Sequence, residues 1–113
     1  MIMLYFDFDA GNKAYKLRLN TRNVVELEKK LGCNPLAIFG DGNTIPTMTA
    51  MVHILHSSLQ QYQHGITLEA AYDIFDEWFA DGHTITDFIP VILEVYKVSG
   101  IINPNAVEDT EKN

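Results

Sequence analysis

Residues 15–36 read YKLRLNTRNVVELEKKLGCNPL, and the period of their apolar side chains changes once. At first Tyr15, Leu17 and Leu19 alternate with Lys16, Arg18 and Asn20, the pattern of a strand with one wet face. From Val24 onward, Val24, Leu27, Glu28 and Leu31 recur at helical spacing. Asn20 or Thr21 supplies a capping oxygen, and Gly32 offers the left-handed stop. A strand that feeds directly into a capped helix calls for an α+β fold.

Upstream, Ile2, Leu4, Phe6 and Phe8 share one parity while Asp7 and Asp9 take the other. With the turn-rich Ala10-Gly11-Asn12-Lys13 between them, the two alternating runs predict a β-hairpin, Asp7 and Asp9 lying across from Lys16 and Arg18. Downstream, Asn34-Pro35 restarts a short helix with Leu36 and Phe39 toward the core, and Gly40-Asp41-Gly42-Asn43 ends it as a loop. From Thr47 to Gly65 a stripe of Met48, Val52, Leu55, Leu59 and Tyr62 marks a longer helix, widened by Met51 and Ile54. Thr67 caps the next, in which Leu68, Ala71, Tyr72, Phe75, Trp78 and Phe79 face inward and Glu69, Asp73, Asp76 and Glu77 face water. The last helix is expected from about Thr86 to Ser99, with Pro90 near its start. The fold class expected is therefore α+β and mostly helical, an N-terminal β-hairpin followed by about four helices, in a single domain over 1–102 with a flexible acidic tail over 103–113.

The chain's 113 residues suit one core, and the 47% apolar share is enough to build it. No apolar run approaches the ~18 residues of a membrane span, and MIMLYFDFDA lacks the flanks of a signal peptide, so a soluble cytoplasmic protein is expected. The lone Cys33 lacks the second thiol of a C-x-x-C motif and reads as a small packed side chain. A net charge of −7 argues against nucleic acid as a partner. Six cations crowd the first thirty residues, and none follows from Leu31 to Tyr96. Such polarity fits solvated faces, protomers that meet basic end to acidic end, or an acidic surface that steers a basic partner.

Catalytic constellations are thin. His53-x-x-His56 needs a third converging metal ligand, and His64, His83, Asp41 and Asp81 stand at no recognised spacing. Asp73 and Glu77 fall on the wet side of an amphipathic helix, and Ser57-Ser58, Thr84 and Thr86 have no identifiable base. No enzyme, cofactor or metal is expected. The last helix stands out instead, because Phe88, Ile89, Val91, Ile92, Leu93, Val95, Tyr96 and Val98 leave only a thin polar strip. Such a helix is either central or pressed against another chain. On the second reading Val91, Leu93, Val95, Tyr96 and Val98 bind a partner and the chain self-associates.

The opening stretch also carries a likeness. YKLRL, then Thr21 and VVELEKKLGCNPL, resembles a family of phage tail assembly chaperones from siphophages and prophages of Gram-positive bacteria. IPTMTAMVHILHSSLQQYQHGITLEAAYDIFDEWFADG looks like that family's central helical pair, and LEVYKVSGI like its C-terminal helix, so the likeness spans residues 6–102. The resemblance implies a non-enzymatic factor of the host cytoplasm, absent from the mature virion. It would bind and solubilise the tape-measure protein, yield to the tail-tube protein, and have no nucleic-acid or membrane partner. The alternative is a small acidic dimeric adaptor or inhibitor module that binds a basic partner protein. Glu111-Lys112-Asn113 adds an expectation about the gene: GAA, AAA and AAC or AAT codons would form a heptamer on which a ribosome slips back one base into a longer product.

Overall fold

In the computed structural model, residues 4–40, 42 and 45–103 are described. Two antiparallel strands, β1 (Phe6–Ala10) and β2 (Lys13–Leu17), lead into α1 (Thr21–Leu31) and a 3-10 turn (Pro35–Phe39). After these come α2 (Met48–Leu59), α3 (Leu68–Ala80), a second 3-10 turn (Ile85–Asp87) and α4 (Phe88–Val98). This is the α+β hairpin followed by four α-helices that the apolar periods call for. The acidic tail from 104 on, the expected slip-site residues and most of the loop through Asp41 and Asn43 lie outside the described residues.

The helices α1, α2 and α3 each begin where a side-chain oxygen accepts from an orphan N–H of the first turn. Asn20 Oδ1 accepts from the Asn23 N–H at 2.9 Å while Asn23 Oδ1 accepts from the Asn20 N–H, a reciprocal box. Thr47 and Thr67 accept from the Ala50 and Ala70 N–H groups at 3.0 and 3.1 Å. Gly32 ends α1 at φ 75°, where a Cβ would be strained, and its N–H returns to the Glu28 carbonyl.

One core joins all of these elements. Phe8 and Leu17 from the hairpin, Leu27 from α1, Met51 and Leu55 from α2, Phe75 and Trp78 from α3, and Phe88, Ile92 and Tyr96 from α4 are all buried. An aromatic knot holds one end of it: Phe75 meets Phe88 at 4.6 Å between ring centroids, and Trp78 meets Phe8 and Phe88 at 5.5 and 5.6 Å. The exit of β2 is tied to two helix ends, with the Arg18 N–H donating to the Ser58 carbonyl and the Leu19 N–H to Ser99 Oγ.

Several local expectations are corrected. The helix begun at Thr47 ends at Leu59 rather than Gly65. The Gln60 N–H turns to the Ser57 carbonyl, three residues back, and its side-chain amide donates to the His56 carbonyl that a continuing helix would have given that N–H, and to the Ile66 carbonyl. Tyr62 therefore leaves the stripe and lies edge-on against Tyr5. Asp7 does face Lys16, but Asp9 faces Ala14 and Arg18 lies past the strand. Leu36 is 46% exposed, and the buried member of its turn is Pro35. The last α-helix starts at Phe88, after the Ile85–Asp87 turn, so Pro90 sits in its first turn where no N–H is required.

Candidate partner-binding surface

The start of α2 forms an apolar shelf with its neighbours. Met48 and Val52 stand one turn apart, as do Thr49 and His53, and Tyr72 of α3 closes a shallow groove of about 160 Å³ over them. Thr49 also borders a second groove of about 210 Å³ lined by Lys30, Leu31, Cys33, Ile38, Thr47 and Ala50. The two share a wall, so the shelf runs from the end of α1 across α2 to α3. Met48 is 37% and Tyr72 44% exposed, although the stripe pattern assigns both inward. Periodicity placed them on the right helix side but could not say that each lies at the rim of the packed area.

The surroundings of the histidines next to the shelf favour the neutral imidazole. Burial and then the Lys30 ammonium lower the His53 pKa below its ordinary value, and the same two causes lower that of His56. His56 has an assignable tautomer: its Nε2 lies 3.1 Å from the Ile66 carbonyl, which only accepts, so Nε2 carries the proton. Nδ1 then accepts from the Lys30 ammonium at 3.3 Å. The groove beside His53 has no carboxylate in its lining, and the described residues hold no group of three His, Cys, Asp or Glu side chains able to bind a metal. The hydroxyls expected to lack a base have structural uses. Ser58 donates back to the Leu55 carbonyl, and Thr84 and Thr86 lie within hydrogen-bond distance of each other at the turn before α4.

The α4 residues expected to bind a partner divide into two sets. Val91, Val95 and Tyr96 are buried with Phe88 and Ile92, so for these three the partner-binding expectation is corrected to core packing. Leu93 and Val98 are half-buried. The physical reason is that β1, α2 and the Pro35 turn cover one broad side of α4. Tyr96 reaches the Pro35 carbonyl with a hydrogen bond of 2.9 Å, and Phe39 packs edge-on against its ring.

A third surface is acidic. Phe6, Asp7, Phe8 and Asp9 of β1 face Trp78, His83, Asp87 and Val91 across a groove of about 430 Å³. Its floor is apolar, Phe8, Trp78 and Val91 being buried, and the His83 ring stacks on the Trp78 indole at 4.3 Å and 8°. Neither Asp7 nor Asp9 forms an ion pair among the described residues, because Lys16 places its ammonium 4.8 Å above the Tyr5 ring instead. Sequence reading found these aspartates as the wet face of a strand; the groove beside them depends on where α3 ends and α4 begins.

The chain belongs to a family of unknown function, DUF6096, whose profile matches residues 4–113. No curated protein and no solved structure matches it.

Proposed function

We propose that this family member is a non-enzymatic assembly chaperone for phage tails, which binds the tape-measure protein and keeps it soluble until the tail-tube protein assembles around it. One observation carries the reading: the resemblance running over residues 6–102, from YKLRL through QHGITLEAAYDIFDE to LEVYKVSGI. The shelf on α1, α2 and α3 supports it. A long amphipathic helix docks by laying an apolar ridge into a shallow groove, and Met48, Val52 and Tyr72 offer one with an adaptable methionine at its mouth. Neutral His53 puts no charge against the incoming ridge.

Self-association through Leu93 and Val98, the less buried of the α4 residues expected to bind a partner, is part of the proposal, as is residence in the host cytoplasm and exclusion from the mature virion. No helix among the described residues is long and apolar enough to cross a membrane. A second reading, an adaptor or inhibitor that binds a basic protein, is favoured by Asp7 and Asp9, which form no ion pair among the described residues.

Co-expression tests the chaperone reading. A tape-measure protein from a siphophage tail is expected to become soluble with the wild-type chain and to stay insoluble with a Met48→Asp/Tyr72→Asp variant that still folds. No gain in solubility with the wild type overturns it.

A further inference from the structure

The two edges of the hairpin are not equivalent. Gly11 and Asn12 have φ of 58° and 66°, the pair of positive values that defines a two-residue type I′ turn. Such a turn makes Ala10 and Lys13 a hydrogen-bonded pair, and alternation extends this to Phe8 with Tyr15 and Phe6 with Leu17. The backbone groups of Asp7 and Asp9 on one strand, and of Ala14 and Lys16 on the other, therefore point away from the hairpin.

On the β2 side the outward groups of Lys16 are taken. Gln63 Oε1 accepts the Lys16 N–H at 2.8 Å, its Nε2 donates to the Lys16 carbonyl at 2.9 Å, and beyond the strand Arg18 donates to Ser58. On the β1 side only the turn is closed, where the Gly11 N–H donates to Asp81 Oδ2 at 2.9 Å. The N–H and C=O groups of Asp7 and Asp9 have no hydrogen-bond partner among the described residues. This open edge faces the acidic groove. Phe6 and Phe8 from one face of β1 and Asp7 and Asp9 from the other all line it, so the groove runs along the strand's edge with Trp78, His83, Asp87 and Val91 as its far wall.

We infer that this groove is a docking site for an extended, basic segment of a partner protein, which adds to β1 as a third strand. Four free backbone groups on Asp7 and Asp9 supply the ladder that strand addition requires. Alternate side chains of an added strand point to opposite faces. One set would reach the apolar floor of Phe8, Trp78 and Val91, and the other would lie beside the Asp7 and Asp9 carboxylates, with Asp87 on the opposite rim. Charge chooses the occupant. A second copy of this chain pairing β1 with β1 would bring Asp7 and Asp9 against their own counterparts, and like charges directly opposite are destabilising. Lysines or arginines at those positions reverse the sign. The inference holds whether the larger role of the protein is that of a chaperone or an adaptor, since neither the shelf residues nor Leu93 and Val98 of α4 line the groove.

The test uses the whole chain, labelled with nitrogen-15, and three blocked heptapeptides: Lys-Val-Lys-Phe-Lys-Val-Lys, its glutamate counterpart, and the lysine peptide N-methylated at alternate residues. The lysine peptide is expected to shift the Asp7 and Asp9 amides and the Trp78 indole, and to slow hydrogen exchange at those two amides. Asp7→Asn/Asp9→Asn should weaken binding roughly three- to tenfold, the scale of two exposed charge pairs. Asp7→Lys/Asp9→Lys should abolish it, with both variants retaining the wild-type spectrum elsewhere because the two side chains are exposed. Three results each overturn the inference: no shift at Asp7 and Asp9 up to millimolar lysine peptide, equal binding of the glutamate peptide, or equal binding of the N-methylated one.

Discussion

Gln63 takes the place of a strand beside Lys16. Its amide accepts from the Lys16 N–H and donates to the Lys16 carbonyl, at 2.8 and 2.9 Å, as a neighbouring backbone would. The same side chain also donates to the Leu59 carbonyl, so one residue ties the end of α2 to the Lys16 part of the hairpin's outer edge. Gln63→Ala is expected to lower stability by about 1–2 kcal/mol, the sum of two or three modest hydrogen bonds whose backbone partners regain water. It should also speed exchange of the Lys16 amide. Urea denaturation and hydrogen exchange read the two effects, and an unchanged Lys16 amide would show that the bridge is not formed in solution.

Tyr96 and Pro35 make the corresponding buried link. Tyr96→Phe leaves the Pro35 carbonyl without its donor inside the core and should cost about 1–3 kcal/mol. Burial, and secondarily the nearby Cys33, raise the phenol's pKa above its ordinary value. The folded chain thus holds its proton more tightly than the unfolded one. That stability is complete below the unfolded value of about 10 and is lost as pH rises above it. Alkaline denaturation curves of the wild type should therefore be steeper above pH ~10 than those of Tyr96→Phe.

The histidines act at the other end of the scale. The His53 and His56 pKa values are lowered by burial and then by Lys30, so the unfolded chain binds protons first as the pH falls through about 6.5. Stability should be full above that value and decline below it until the folded-state values are passed. His56→Gln or Lys30→Met should flatten the melting temperature between pH 7.5 and 5.5, each by roughly the part of the slope it removes. Equal slopes in wild type and both variants would remove the half-buried, lysine-facing histidine as the cause.

Substitutions on α4 separate core from surface. Val95→Lys places an ammonium among fully buried neighbours and should destabilise the fold by about 3 kcal/mol or more. Leu93→Lys, at a half-buried position, should leave the chain folded and, on the proposed self-association, shift it toward monomer in sedimentation. A wild-type chain that sediments as a strict monomer at high concentration would remove self-association from the proposal.

The hairpin, the caps at Asn20, Thr47 and Thr67 and the stop at Gly32 are written in local spacing, because a turn, a cap or an amphipathic period involves residues a few positions apart. The Asp7 and Asp9 side chains were legible as a wet face for the same reason. Three features were not. The closing of the hairpin edge at Lys16 depends on Gln63 finding it, 47 residues away. The inward turn of Val95 and Tyr96 depends on the Pro35 turn and β1 arriving over α4, and an all-round apolar helix carries no period that says which side they will cover. The open edge of β1 is set by which strand Gln63 caps and by the gap left between α3 and α4. By itself the sequence determined the elements, their order and the polarity of their faces, since these follow from neighbours along the chain. Only the tertiary structure decided which apolar side chains meet one another and which backbone groups are left without a partner, because both depend on contacts between residues that the chain brings together from far apart.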